Sequence, residues 1–514
     1  MIALTLAEIA DIVGGRLADI DDAAAAATRV TGTVEFDSRA VTSGGLFLAM
    51  PGARTDGHDH AAAAIAAGAV AVLAARPVGV PAIIAPPAAG PAGAGVLEHD
   101  RDGSGAAVLA ALAKLAAEVA RRLTADGLTI IGVTGSSGKT STKDLLAAVL
   151  APLGEVIAPP GSFNNELGHP WTVLRATTST DYLILEMSAR HPGNIAALAR
   201  IAPPSIGVVL NVGTAHLGEF GSRQAIADTK AELVQAVGAS GAVVLNADDP
   251  AVDAMAEQTA ARVIRVSRAP GTGIGLWATD VVLDGLARPR FRLHRPDGDA
   301  VPVALAVHGD HQVSNALCAA AVALECGADL TQVADALAGA GPVSARRMQV
   351  STRADGVTVV NDAYNANPDS MTAGLKALAW MARGEPGAER RRSIAVLGEM
   401  AELGEDAIAE HDRIGRLVVR LDVSQLIVVG TSRPMGAMFN GAVMEGSWGS
   451  EAIAVEDAAA ALELLRTELR PGDVVLVKAS NSAGLGALAE TVAADIAGDP
   501  GARHPGPVRD DAPR

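Results

Sequence analysis

The 514-residue sequence predicts an α/β protein of three domains. Three observations carry that expectation. Short, apolar, β-branched runs each end in a polar cluster. Ala- and Leu-rich helical patterns lie between them. The runs fall into two series, one before residue 343 and one after it. Runs this short, bounded by turn residues, read as buried parallel strands, and the helices between them imply right-handed crossovers. Hydrophobic residues make up 49% of the chain but aromatics only 2%, so the cores are Ala, Val, Leu and Ile, which suits parallel sheets covered by helices.

In chain order, residues 1–103 form a front domain. The Pro/Gly/Ala-rich stretch 86–105 reads as a linker, and a helix is expected over roughly 106–123. The central domain, 104–342, has strands at "LTIIGV" (128–133), "YLILE" (182–186), "IGVVLN" (206–211) and "AVVLN" (242–246). The third domain, 343–496, has "VTVV" (357–360), "SIAVLG" (393–398), "QLIVVG" (425–430) and "DVVLVKAS" (473–480). The tail, 497–514, is Pro/Gly-rich and charged and is expected to be disordered. Open α/β sheets bind ligands at the carboxyl ends of their strands, and both series place their polar clusters there. A ligand held between the second and third domains is therefore expected.

A net charge of −17 disfavours a nucleic-acid binder, which would carry a basic face. It does not exclude anion binding, which local N–H groups and a single lysine decide. Cys318 and Cys326 sit in an Ala-rich helical stretch and read as small core residues, not as a disulfide or metal pair. The start lacks a basic segment and a cleavage site. The apolar run 61–75 ends at Arg76, and Pro77, Pro81, Pro86, Pro87 and Pro91 follow, so no spanning helix is expected there. These features describe a protein that is cytoplasmic and not membrane-embedded.

The stretch "GVTGSSGKTST" (132–142) reads as a phosphate loop between a strand and a helix, although the usual pattern would put Gly where Val133 stands. Gly135, Ser136, Ser137 and Gly138 can aim N–H groups at phosphate oxygens. Lys139 can reach the outer phosphates, Thr140 offers a hydroxyl to Mg²⁺, and Ser141 follows them at the helix N-terminus. Mg²⁺ on a nucleotide takes few protein ligands, mostly oxygen, plus water. Glu186, at a strand end, is a candidate ligand, and His216 in "NVGTAHLGEFG" is another. Read alone, Glu186 is as readily a surface carboxylate, His216 a structural histidine, and Lys230 in "DTKAEL" a solvated helix lysine. Asn246 and Asp249 in "NADD" suit either a ribose or base contact or an Asx turn. His311 and Asn315 lie one turn apart on a nascent helix that could face a base. The loop "NDAYNANPDSM" (361–371) packs Asp362, Tyr364, Asn365 and Asn367 after a buried strand, which favours a site over a plain turn.

Together these segments resemble the Mur ligase family of bacterial cell-wall synthesis, over about residues 1–495. The family's phosphate loop reads Gly-x-x-Gly-Lys-Thr, as "GSSGKT" (135–140) does. The stretches "TGSSGKTSTK" (134–143), "NNELGHP" (164–170), "NDAYNANPDSM" and "LGEMAELG" (397–404) look most like the member that uses UDP-N-acetylmuramoyl-tripeptide and D-alanyl-D-alanine. The front segments "DSR" (37–39) and "GGLFLAMPGARTDGHDH" (44–60) resemble a uridine-binding module.

The resemblance implies a small α/β uridine-binding domain, a central P-loop mononucleotide-binding parallel sheet and a C-terminal Rossmann-like α/β domain. It implies an ATP-dependent, ADP-forming amide ligase that passes through an acyl phosphate and acts as a monomer. Lys139, Thr140 and Arg347 would meet the ATP phosphates. Thr140, Glu186, His216 and a carbamylated Lys230 would hold Mg²⁺ (two ions). Asn246, Asp249, His311, Asn315 and Asp362 would line the nucleotide pocket. Ser38, Arg39, Asn164, Asn165, Tyr364 and Asn365 would hold the sugar-nucleotide substrate. In "SARRMQV" (344–350) the phosphate arginine is Arg346 or Arg347, with Arg347 assigned. The chain departs from the family at Gln312, where Asn is common, and at Ala479 and Asn481, where Gly and Arg are expected. The alternatives are a related ligase that adds another amino acid and a non-catalytic ATP-binding homologue.

Overall fold

The computed structural model describes residues 1–88, 95–213, 217–384, 387, 389–446 and 451–494. The expected tail and His216 lie outside the described residues, as do 89–94 of the expected linker. The central sheet has nine strands. Val156–Ile157, Tyr182–Glu186, Thr129–Thr134, Ile206–Val209, Ala242–Asn246, Arg262–Ser267 and Ile274–Leu283 lie side by side in that order, all parallel. Two antiparallel strands, Pro289–His294 and Ala300–Ala304, finish the edge. The four central strands expected from the sequence are present, and Tyr182–Glu186 and Ala242–Asn246 have the expected bounds.

The antiparallel end was not expected, for a physical reason. Along Pro289–His294 buried and exposed residues alternate, with Arg290 and Arg292 facing solvent, so this strand covers the core on one face only. A half-solvated strand has no continuous apolar run to mark it.

The third domain has a six-stranded sheet in the order Gln349–Thr352, Thr358–Asn361, Val474–Lys478, Ser393–Leu397, Gln425–Val429, Ala452–Val455, antiparallel only at the first pair. The front domain has a five-stranded sheet in the order Arg16–Ala18, Ala82–Ile84, Ala69–Ala74, Gly45–Leu48, Val34–Glu35. Helix Ser104–Ala125 packs Val108, Leu112, Leu115 and Val119 into one apolar core shared by the front domain and the central sheet. Among the described residues, no helix is long and apolar enough to cross a membrane. Cys318 is buried in helix Gln312–Glu325, as a small core residue should be, and Cys326, at its end, is half-buried; both are free thiols.

Three of the scarce aromatics meet where the front domain joins the central one. Trp171 lies 4.8 Å from Phe163 and 5.7 Å from Phe36, ring centre to ring centre. Its indole N–H donates to Val34 O at 2.7 Å, which satisfies the one polar atom the buried ring carries. Trp171→Ala removes both the ring and this bond and is expected to cost about 3–5 kcal/mol. The first transition in a urea melt should move to lower denaturant. An unmoved transition would remove Trp171 as the joint between these domains.

Candidate nucleotide and metal site

The phosphate loop leaves the C-terminal end of Thr129–Thr134 and enters helix Lys139–Leu150. Gly138 has φ +84°, and a Cβ there would come within 2.8 Å of Asn315 Oδ1, so two independent constraints demand glycine. Gly135 is pressed on Leu210, where a Cβ would lie 2.9 Å from the leucine Cβ. These close approaches place Asn315 beside the loop. Gln312, the departure from the family pattern, accepts from Asn315 Nδ2 at 2.9 Å and so orients it.

A residue the sequence reading passed over clamps the loop. Asn211, just beyond Ile206–Val209, accepts the Ser137 N–H at 2.9 Å through its side chain and the Ser136 N–H at 3.1 Å through its carbonyl, while its Nδ2 donates to Ser137 O at 3.1 Å. Ser136 Oγ accepts the Gly213 N–H at 2.9 Å. Lys139 folds back so that its Nζ donates to Gly135 O at 2.7 Å. Burial lowers the pKa of this amine, Glu186 opposes that and Arg347 adds to it.

Glu186 is 1% exposed and sits in register with Val133, one strand over. Its carboxylate accepts from Thr140 Oγ1 at 3.0 Å, Ser162 Oγ at 3.0 Å and Asn164 Nδ2 at 2.6 Å. The surface alternative for Glu186 is therefore excluded. The set Thr140, Ser162 and Glu186 is all oxygen and close-set at the strand end, with Thr140 and Glu186 buried and Ser162 half-buried, which fits a hard cation such as Mg²⁺. Among the described residues, no three His, Cys, Asp or Glu side chains converge as a metal cage. Lys230 is 7% exposed, so it is not a solvated lysine. Burial first, and Lys139 second, push its pKa down to about 7.

The third domain closes over the loop. Arg347 Nη2 reaches Thr140 Oγ1 at 3.5 Å, and its guanidinium stacks 4.4 Å from the centre of the Tyr364 ring. Arg346 turns away to Glu490, at 2.8 Å, which separates the two arginines the sequence left open. Asn367 Nδ2 reaches Ser136 O at 3.5 Å. Ser141 lines a small cleft with Asp144, His308, Gln312, Ser344 and Arg347.

Asp362 Oδ1 accepts the Met348 N–H at 3.0 Å, and its Oδ2 accepts from Lys478 Nζ at 2.6 Å. Lys478, unmarked in the sequence reading, is 1% exposed and also donates to Asn365 O at 3.0 Å. His311 lies in the fields of Asp362 and Lys478, and burial lowers its pKa.

Other expected residues are engaged by backbone. Asn246 donates to Leu210 O at 2.9 Å. Asp249 accepts the Val212 N–H at 2.7 Å and caps the short helix Pro250–Asp253. Asn165 Oδ1 accepts the Gly168 N–H at 2.9 Å. In the front domain Arg39 pairs with Asp37 at 2.9 Å, and Ser38 lies between them, half-buried.

Comparison with known proteins places these features in context. The chain matches the Mur ligase middle domain over residues 133–323, the Mur ligase glutamate ligase domain over 346–481, and the catalytic domain of the Mur ligase family over 32–118. It is 74% identical over 507 residues to the UDP-N-acetylmuramoyl-tripeptide–D-alanyl-D-alanine ligase of Mycobacterium tuberculosis (strain ATCC 25618 / H37Rv), covering 96% of this chain and 98% of that one. A crystal structure of MurF from Acinetobacter baumannii superposes with a TM-score of 0.78 at 27% identity, over 96% of this chain and 99% of that one. MurF ligase from Thermotoga maritima in complex with ADP gives a TM-score of 0.70 at 27% identity, over 92% and 98%.

The buried pair Asp362–Lys478 generates a stability prediction. Asp362→Ala leaves an uncompensated buried ammonium and should cost about 3–5 kcal/mol. Adding Lys478→Met should restore most of that loss in thermal unfolding. If the single variant melts with the parent, the pair is not the anchor of this loop.

Proposed function

Because the chain belongs to the Mur ligase family, we propose that it is the ATP-dependent ligase that joins D-alanyl-D-alanine to UDP-N-acetylmuramoyl-tripeptide in peptidoglycan precursor synthesis. The observation that carries this reading is the likeness over nearly the full length to a relative of that name. The geometry supports it, since a phosphate loop and a buried oxygen-donor set face Arg347 of a second domain.

In the reaction, a carboxylate oxygen of the tripeptide attacks the γ-phosphorus of ATP, and ADP leaves. The amine of D-alanyl-D-alanine then attacks the acyl phosphate carbon. The tetrahedral adduct collapses, the amine proton is lost, and inorganic phosphate departs. The protein's part is positioning and charge. The loop N–H groups and Lys139 hold the phosphates, and Arg347 brings a second cation from the opposite side. Thr140 and Glu186, with His216, would hold Mg²⁺, which would neutralise part of the phosphate charge. Asp362, Tyr364 and Asn365 would contribute the third-domain contacts to nucleotide and substrate. Ser38, Arg39, Asn164 and Asn165 mark the path of the sugar nucleotide toward the aromatic joint.

Lys230 has the chemistry for carbamylation. An amine with its pKa near 7 is substantially neutral at physiological pH, and only the neutral amine attacks CO₂. The product, R–NH–COO⁻ with release of one proton, turns a buried cation into an oxygen donor and relieves its repulsion with Lys139. We place the enzyme in the cytoplasm, where ATP and UDP-linked precursors are available, and read it as a monomer.

Phosphate release with UDP-N-acetylmuramoyl-tripeptide should require D-alanyl-D-alanine and match a mass gain in the nucleotide product. Release with single amino acids would move the activity to another family member, and ATP binding without release would make the chain a non-catalytic homologue. Lys139→Ala should abolish turnover and keep the fold. Lys230→Ala should be nearly inactive and partly rescued by acetate or formate. An unimpaired Lys230→Ala would remove the carbamate.

A further inference from the structure

The stretch "LGEMAELG" (397–404) has no part in the site described so far, yet it reaches both domains. On its own domain it is laced to the strand end that carries Lys478. The Gly398 N–H donates to Lys478 O at 3.0 Å, the Ser480 N–H to Glu399 O at 3.0 Å, and the Ala401 N–H to Ser480 Oγ at 2.9 Å. The Glu399 carboxylate accepts from Ser432 Oγ at 2.8 Å. The Met400 N–H donates to Nε2 of His411, a ring with no exposure whose Nδ1 lies 2.6 Å from Ala407 O. A loop tied at this many points moves with its strand as one piece.

Its far end meets the central domain. Gly404 lies against Gly218, and a Cβ on either would come within 2.7 Å of the other's backbone. Gly404 holds φ +58° and Glu402 φ +64°, left-handed conformations that turn the loop toward this contact. Beside them Glu402 Oε1 and Arg190 Nη2 form an ion pair at 3.0 Å. Gly218 opens the short helix Leu217–Phe220, just past the segment that carries His216. Gly218 is not among the residues with positive φ, so an alanine there suffers no backbone strain of its own. What it lacks is room against Gly404.

We propose that residues 398–404 are a closure latch. The glycine-on-glycine seat of Gly218 and Gly404, keyed by Arg190 and Glu402, sets how far the third domain closes, and through Ser480 it positions the backbone that follows Lys478. Gly218, Gly404, Arg190 and Glu402 are positioning residues, since none touches a reacting atom. The proposal rests on the ligase reading, and the two fail differently. No dipeptide-dependent phosphate release by the unmodified chain would sink the ligase reading. The latch stands or falls on ratios of variant to parent.

The test uses the full chain. Gly218→Ala is expected to lower kcat about tenfold or more, because a small misplacement at the site is costly. Its ATP affinity, measured without acceptor, should stay within about threefold of the parent. Solution scattering with ATP and both substrates should show it more open than the parent. Glu402→Arg, which sets like charges together at an exposed pair, should lower kcat about threefold. The reversed pair, Arg190→Glu with Glu402→Arg, should recover that loss, whereas a merely structural role for either residue would give additive damage. Parent-like kcat in Gly218→Ala, or a reversed pair no faster than Glu402→Arg alone, overturns the latch.

Discussion

Positive charge buried under one loop governs this molecule. Burial and Lys139 disfavour the proton on Lys230, and burial and Arg347, which arrives from a different domain, disfavour the proton on Lys139. Among the described residues, Glu186 is the carboxylate that answers Lys139. A protein interior does not tolerate such an excess without a partner. The partner is the phosphate chain of the nucleotide. The unbalanced charge makes the site an anion receptor in a chain whose net charge is −17, and it makes the third domain's approach dependent on what fills the cleft.

The sheet makes this concentration possible. Thr129–Thr134, Tyr182–Glu186 and Ile206–Val209 are adjacent and parallel, so the phosphate loop, Glu186 and Asn211 leave the sheet at one edge within neighbouring strands. Parallel strands bring residues together that are 46 positions apart, as Thr140 and Glu186 are. The third sheet does the same for Asp362 and Lys478, 116 positions apart at the ends of adjacent strands.

This division explains what was legible in the sequence. The buried strands and the loop were, because periodicity and glycine spacing are local. Asn211, Ser162 and Lys478 were not, because each matters only through a partner far along the chain. Lys478 closes the apolar run "VVLVK" and looks like an ordinary strand end until Asp362 is placed opposite it. Lys230 is a different case, since taken by itself it read as a solvated lysine and only the family resemblance marked it. In helix Arg223–Ala236 the buried positions include Ile226, Lys230, Leu233 and Val234, an apolar stripe at helical spacing with a lysine inside it. The signal was present, and weighing the lysine by its charge alone hid it. For the arginines local features stopped at a pair, from which the family resemblance chose Arg347, and the turn at Arg346, with φ +58°, sends one outward and one inward.

The two joints of the central domain differ in kind. The front joint is apolar and dry: Trp171 is 6% exposed between Phe36 and Phe163, and helix Ser104–Ala125 runs through a core common to both sides. Separating it would expose aromatic surface worth several kcal/mol. The third domain also takes Ala287 and Leu283 of the central domain into its core with Met348, Leu378 and Met381, and its Trp380 indole N–H donates to Asp284 O at 2.9 Å, but at the phosphate loop its contacts are polar and thin. Arg347 and Asn367 reach the loop at 3.5 Å, the outer limit of a hydrogen bond, and the Arg190–Glu402 pair is exposed on both sides, which makes it worth about 0–1 kcal/mol. Such contacts cannot hold a domain shut by themselves, but they can report that it is shut. Closure then takes its energy from the nucleotide and substrates and its end point from the glycine seat. That suits an enzyme that must open again after every turn to release ADP, phosphate and product.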